Sequence, residues 1–182
     1  PEKRLICGVK GTGPALLHVP PRWGKMHLTY FMDGRDTGDM DKEEWDDAWV
    51  RAFASWSNVC GITFEHTHNN KTCDILIDVS RKRSEGFGKR GKILAWAQLP
   101  SVPDWRWQLV TKFDKAEEWV IEIEDPNRDV LLQNVAAHEI GHLLGLDHSF
   151  YDSALMGPYY NPNIVIPQLI DDVLRIQDLY SI

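Results

Sequence analysis

Val135-Ala136-Ala137-His138-Glu139-Ile140-Gly141-His142-Leu143-Leu144-Gly145-Leu146-Asp147-His148-Ser149 is the stretch on which the fold turns. Residues four apart share a face of an α-helix, so His138 and His142 aim their rings at a common point with Glu139 beside them. His148 cannot join them on a continuing helix, because six residues at about 1.5 Å rise carry it roughly 9 Å past His142. Zinc–nitrogen bonds are only about 2.0–2.1 Å long, so the helix has to end and the chain fold back. Gly145 stands where that end is needed, since glycine enters the left-handed conformation at little steric cost. Three histidines leave a fourth tetrahedral position open for water, the mark of a catalytic rather than a structural zinc site. Zinc lowers the pKa of that water toward about 7, and Glu139 is placed to take its proton as it attacks a carbonyl. The implied chemistry is amide hydrolysis. A bare His-Glu-x-x-His also arises by chance on amphipathic helices; Gly145 and His148 at the required offsets are what that blander reading leaves unexplained.

The 182 residues, 43% hydrophobic with eight tryptophans, suffice for one buried core, and no internal repeat or second domain is visible. A net charge of −7 and a pI near 5.4 speak against general binding to nucleic acid or anionic membranes. No apolar run approaches the roughly 18 residues of a membrane span, and Pro1 begins no signal peptide, so the sequence reads as a processed or trimmed soluble domain. Cys60 and Cys73 flank the segment Gly61-Ile62-Thr63-Phe64-Glu65 and its polar turn, as an internal disulfide or as two reduced, half-buried thiols. Asn70-Lys71-Thr72 is a glycosylation sequon in an expected loop. His66 and His68 read as turn residues, a surface metal pair being the alternative.

Glycine and proline make residues 1–22 an irregular N-terminal segment. A strand is expected over 26–32. Asp41 and Glu44 form a capping-box pattern, and Trp45, Ala48, Trp49, Ala52, Phe53 and Trp56 follow at helical spacing, which predicts a first helix over about 41–58 with its tryptophans in the core. Residues 62–65 and 74–79 read as strands joined by a turn, 92–99 as another, and 111–114 and 119–123 as further short strands. The histidine-bearing helix is expected from about Asp129 to Leu144, and the last from Pro167 to Tyr180.

His-Glu-x-x-His-x-x-Gly-x-x-His followed by a methionine turn resembles the metzincins. Within them, Ser149 and the segment Ala154-Leu155-Met156-Gly157-Pro158-Tyr159-Tyr160 look like the matrixins, the matrix metalloproteinases. Pro21-Arg22-Trp23, His27-Leu28-Thr29-Tyr30, Ala52-Phe53-Ala54-Ser55-Trp56-Ser57 and Asp171-Asp172-Val173 carry the resemblance across nearly the whole chain. It implies an α+β fold, a twisted mixed β-sheet with three main helices and a methionine turn after the catalytic helix, Met156 lying beneath the zinc. It also implies a division into residues 1–22, an N-terminal segment with a cysteine-switch remnant, and a catalytic domain over 23–182. The implied activity is a secreted, monomeric zinc endopeptidase acting on protein or peptide substrates, with zinc on His138, His142 and His148 and Glu139 moving the proton. No nucleic-acid partner and no membrane span are expected.

The sequence departs from the family where a second, structural zinc and calcium are usual. Trp96 and Lys112 stand at histidine positions, and the His-Gly-Asp signature is missing near Arg81-Lys82-Arg83-Ser84-Glu85-Gly86. Indole offers no lone pair and an ammonium is a poor ligand, so one zinc is expected. Trp96 and Trp105 are candidates to replace the lost metal with packing. Asp114 and Glu117 match two calcium carboxylates, while Gly88 stands where the partner loop offers another; calcium, with its six to eight oxygens, stays an open expectation beside ordinary solvated acids.

Cys7-Gly8-Val9 precedes Pro21-Arg22-Trp23 by a distance similar to that of the matrixin cysteine switch, whose thiolate fills the fourth zinc position; its usual flanking residues are missing. Cys7 is thus either an inhibitory zinc ligand, or an unpaired thiol or partner for Cys60 or Cys73. The resemblance gives Leu94 and Ala95 the role of holding substrate by strand addition. It makes Pro158 and Tyr160 the outer wall of the S1′ pocket. Asn134 either lines and shortens that pocket or lies on a helix face. Alternatives to an active peptidase are a non-catalytic peptide-binding homologue, against which Glu139 speaks, and a latent form held by Cys7.

Overall fold

Alternation along β1 (His27–Met32) turns Leu28, Tyr30 and Met32 inward, as the two-residue period of a half-buried strand requires. The computed structural model describes residues 7, 22–32, 40–100 and 108–181; Trp105, Pro21 and the rest of the expected N-terminal segment up to there, Cys7 excepted, lie outside the described residues. Helix α1 (Lys42–Cys60) starts at Asp41, whose carboxylate accepts the Glu43 N–H at 2.7 Å, and ends at Gly61 in the left-handed conformation, φ 66°. Its Trp45, Trp49, Phe53 and Trp56 are buried; Trp45 and Trp49 meet Phe113 of the sheet, Trp49 edge-on at 5.1 Å between ring centres, and Phe53 stacks on Tyr30. The periodic tryptophans are core, as expected.

The five-stranded sheet has the order β2-β1-β3-β5-β4, with β2 (Thr63–His66), β3 (Ile75–Ser80), β4 (Ala95–Ala97) and β5 (Leu109–Asp114). All neighbours run parallel except β4 and β5. The two strands expected to be joined by a turn, β2 and β3, therefore do not pair; β1 lies between them, and the connection crosses over. A smaller parallel pair, β6 (Glu118–Val120) with β7 (Asp129–Leu131), precedes the histidine helix. That helix, α2 (Leu132–Leu143), thus begins three residues later than expected, because Asp129, Val130 and Leu131 pair with β6. The last helix divides as well: a π-helical turn, Leu169–Val173, leads into α3 (Leu174–Tyr180).

Tryptophan N–H groups fasten α2 to the rest of the core. Trp56 Nε1 donates to Ala137 O and Trp23 Nε1 to Leu143 O, both at 2.7 Å. Cys7, Cys60 and Cys73 are all free thiols, so the disulfide alternative falls away. Among the described residues, no helix is long and apolar enough to cross a membrane.

Candidate metal centre

Helix α2 closes by the two bonds of a Schellman motif: Gly145 N–H to His142 O at 2.9 Å and Leu146 N–H to Gly141 O at 3.0 Å. Gly145 takes φ 109°, open to glycine and strained for other residues. The chain then reverses and brings His148 back to its partners, with ring centres 5.3 Å from His138 and 4.8 Å from His142.

Backbone carbonyls before and after His148 fix two of the rings from behind. His138 Nδ1 lies 2.7 Å from Leu155 O and His142 Nδ1 2.7 Å from Leu146 O. A carbonyl can only accept, so both Nδ1 atoms carry protons and both Nε2 atoms present lone pairs. Those two Nε2 atoms face each other at 3.1 Å. Burial and the neighbouring His142 hold His138 well below its usual pKa, and burial and His148 push His142 down to about 3, so both rings are neutral. His148 Nε2 and Glu139 Oε1 are buried without a hydrogen-bond partner. Facing lone pairs plus a third nitrogen without a hydrogen-bond partner form a donor set suited to a cation. Two nitrogens about 2.0–2.1 Å from one tetrahedral ion stand roughly 3.4 Å apart, so zinc fits the set.

Cys7 completes the cluster. Its thiol and the three histidines offer ligand atoms that all lie within 4.8 Å of one another, the one such group among the described residues. The thiol donates to Glu139 Oε2 at 3.4 Å, and Cys7 bridges Ala95 of β4 in parallel. Burial, reinforced by the charge of Glu139, pushes the thiol far up, and burial raises the Glu139 carboxyl well above the carboxylate range. A divalent cation reverses both penalties.

Beneath the histidines, Met156 packs on Gly141 so closely that a Cβ there would stand 2.2 Å from Met156 Sδ and 2.9 Å from Trp56 Cζ2. The turn itself hangs on a residue the sequence reading missed. Asp172, fully buried, accepts Leu155 N–H at 2.7 Å, Met156 N–H at 3.0 Å and Gln168 N–H at 2.7 Å. An acid in the first turn after Pro167, where free N–H groups collect, was the available signal.

The family model of the matrixins matches residues 22–181. The chain belongs to the matrixin family. Similar proteins include interstitial collagenase B of Mus musculus, 36% identical over 98% of this chain and 38% of that protein. The hatching enzyme of Paracentrotus lividus is 35% identical over 96% and 29%, and matrix metalloproteinase-19 of Homo sapiens 34% over 88% and 30%. This matrixin therefore spans less than two fifths of the length of these relatives.

Away from the histidines, Trp96 and Lys112 form a row of their own with Asp78, the three being register partners across β4, β5 and β3. Lys112 Nζ lies 2.8 Å from Glu85 Oε1, 3.4 Å from Asp78 Oδ2 and 5.8 Å from the centre of the Trp96 ring. Trp96 is buried. Asp114 and Glu117 come together under the 86–91 loop: Asp114 accepts Gly88 N–H and Ala116 N–H, both at 2.8 Å, and Glu117 accepts Gly91 N–H at 2.6 Å. Both acids are buried, so they are not solvated surface charges.

Asn134 is one helical turn before His138 and only 1% exposed, which removes the surface-face alternative. Its Nδ2 donates to Asn161 O at 3.0 Å and to Ile164 O. It staples the loop after the methionine turn onto α2. Tyr160 helps, its hydroxyl accepting Leu131 N–H at 2.6 Å, and Pro158 is half-buried beside it. Leu94 and Ala95 are fully buried, and Leu94 O accepts Asp114 N–H at 2.9 Å.

Proposed function

We propose that this domain, residues 23–182, is a zinc-dependent endopeptidase that hydrolyses peptide bonds of proteins. The observation that carries the reading is the set of three converging imidazoles, His138 and His142 held neutral, beside a buried, partly orphaned Glu139. Zinc, when held by His138, His142 and His148, supplies the Lewis acidity that activates water and polarises the scissile carbonyl. Glu139 takes the proton of the attacking water and hands it to the leaving amine. The Nδ1 bonds to Leu155 and Leu146 hold the rings in the required tautomer and orientation. The edge of β4 at Leu94 and Ala95 receives an extended substrate by strand addition. The loop stapled by Asn134, with Pro158 and Tyr160, bounds the pocket for the residue after the cleaved bond. The domain acts outside the cell as a monomer.

The expected metal content is one zinc per chain. The Lys112 ammonium, set between Glu85 and Asp78, supports the loss of a second zinc, because it supplies a fixed positive charge of its own. Calcium has Asp114 and Glu117 as candidate ligands. Backbone N–H groups already engage three of their four oxygens, which supports a loop that holds together without it.

Replacement Glu139→Ala tests the assignment. Zinc by elemental mass spectrometry stays at one per chain, while cleavage of a generic peptide falls by about 10² or more, the general acid–base contribution. Retained turnover in that variant sinks the assignment, and two tightly bound zincs in the unaltered protein sink the single-zinc reading. A latent form is the second reading, favoured by the thiol of Cys7 within the histidine cluster.

A further inference from the structure

The loop between β3 and β4 concentrates charge that the whole-chain balance hides. Residues 81–92 hold six of the chain's 20 lysines and arginines but one of its 27 acids. Arg81, Lys82, Arg83, Lys89, Arg90 and Lys92 are all exposed. The acid, Glu85, is turned inward, one oxygen on Lys112 Nζ and the other accepting Ser80 Oγ at 2.5 Å. Beneath the loop, buried Asp114 and Glu117 hold the N–H groups of Gly88 and Gly91. Negative charge is thus gathered under an ordered loop, and positive charge is displayed on it.

The fold also merges the two basic runs. Phe87 N–H donates to Lys82 O at 3.4 Å. Gly88, at φ +89°, passes so near the first run that a Cβ would stand 3.1 Å from Arg81 O and 3.9 Å from Arg83 Cγ. Arg90 is drawn back onto Ala116 O at 2.8 Å and Glu118 at 2.5 Å, bracing the loop. The other five cations crown it.

We propose that this loop binds a linear sulfated polysaccharide of the glycosaminoglycan type. Guanidinium forks match the oxygens of sulfate in paired hydrogen bonds, lysines add point charge, and short basic runs are the sequence mark of such patches. Single-stranded nucleic acid is the poorer fit, because it needs exposed aromatic platforms and the loop's aromatic residue, Phe87, is 3% exposed. A duplex groove takes a helix or a β-ribbon, and the loop has only the three-residue turn Arg83–Glu85. Firm attachment to an anionic membrane calls for apolar insertion as well as charge, and Phe87 and Ile93 are turned inward.

The test is elution from immobilised heparin, backed by fluorescence titration with a heparin oligosaccharide at physiological salt. The unaltered protein binds, and its log affinity falls linearly with log salt as counterions are released. The triple variant Arg81→Ser, Arg83→Ser, Lys89→Ser binds roughly tenfold or more weakly with a shallower salt slope. It melts at the same temperature and cleaves a generic peptide at the same rate, whereas Arg51→Ser, on α1, leaves heparin binding unchanged. Desulfated heparin, oligothymidylate and anionic phosphatidylserine vesicles bind about tenfold or more weakly than heparin. The proposal is overturned if the triple variant keeps its affinity, if Arg51→Ser weakens binding equally, or if any of those three competitors binds as tightly. Peptidase activity is a separate readout, so neither result decides the other.

Discussion

Lys112 balances two carboxylates with a single charge. It is the middle of the Asp78–Lys112–Trp96 row, with Glu85 reaching in from the loop above. Burial alone would raise Glu85, but the Lys112 and Ser80 hydrogen bonds and the Lys112 charge hold it below the usual 4.5. Burial alone would lower Lys112, but Glu85 and Asp78 lift it above the usual 10.5. The signs give a window. Glu85 contributes stability above its unfolded value, lost as pH falls through its lowered folded value; Lys112 contributes below its unfolded value, lost as pH rises through its raised one. The pair is therefore fully effective between about pH 4.5 and 10.5. Lys112→Met leaves Glu85 and Asp78 crowded without a counter-charge, at a cost of roughly 2–3 kcal/mol near neutrality, below the full buried-pair value because both groups keep some water. Urea midpoints across pH check this: the gap between variant and parent shrinks as pH falls below about 4.5 and Glu85 protonates. A gap independent of pH would mean that Lys112 acts through packing alone.

At the scale of elements, the centre is a helix, a reversal and a turn that hold one another in place. What the sequence made legible is local: the i, i+4 histidines, Gly145 as the stop, His148 after the reversal. The unread part is the support, because a buried acid such as Asp172 looks like any helix-start carboxylate until its three N–H partners are known. For the same reason the sequence pattern merges β7 with α2, since Val130 and Leu131 suit either element and only the pairing with β6 decides. Asp172→Asn leaves one acceptor oxygen for three donors and turns an amide N–H toward one of them. Leaving a buried donor unmade costs about 1–3 kcal/mol, and the turn that carries Leu155 O relaxes away from His138 Nδ1. Zinc affinity, followed by competition with a chromophoric chelator, should fall by roughly 10–100-fold, the usual effect of losing a ligand's outer support. Loss of stability with unchanged zinc affinity would confine Asp172 to the fold.

Across the whole molecule, sheet order is the part that sequence pattern does not reach. Parallel pairing joins strands far apart in the chain, so alternation identifies β1, β2 and β3 but not that β1 lies between the other two. The consequence that matters for function is which strand ends at the edge. β4 does, antiparallel to β5, and its outer side meets Cys7 at Ala95. An extended peptide adding to β4 competes for that same edge, while the thiol occupies space beside Glu139 and the histidines. In the latent form proposed above, one residue would block both the strand edge and the metal's open position, and activity would be limited by the fraction of molecules in which Cys7 has left. Cys7→Ala removes the block and should raise peptide cleavage by about tenfold or more, with zinc content unchanged. The unaltered thiol should react slowly with an aromatic disulfide reagent and much faster once zinc is chelated, because its burial and its ligand are lost together. Unchanged activity in Cys7→Ala, with a thiol that reacts at the same rate with and without zinc, would leave Cys7 a packed side chain and the domain constitutively open.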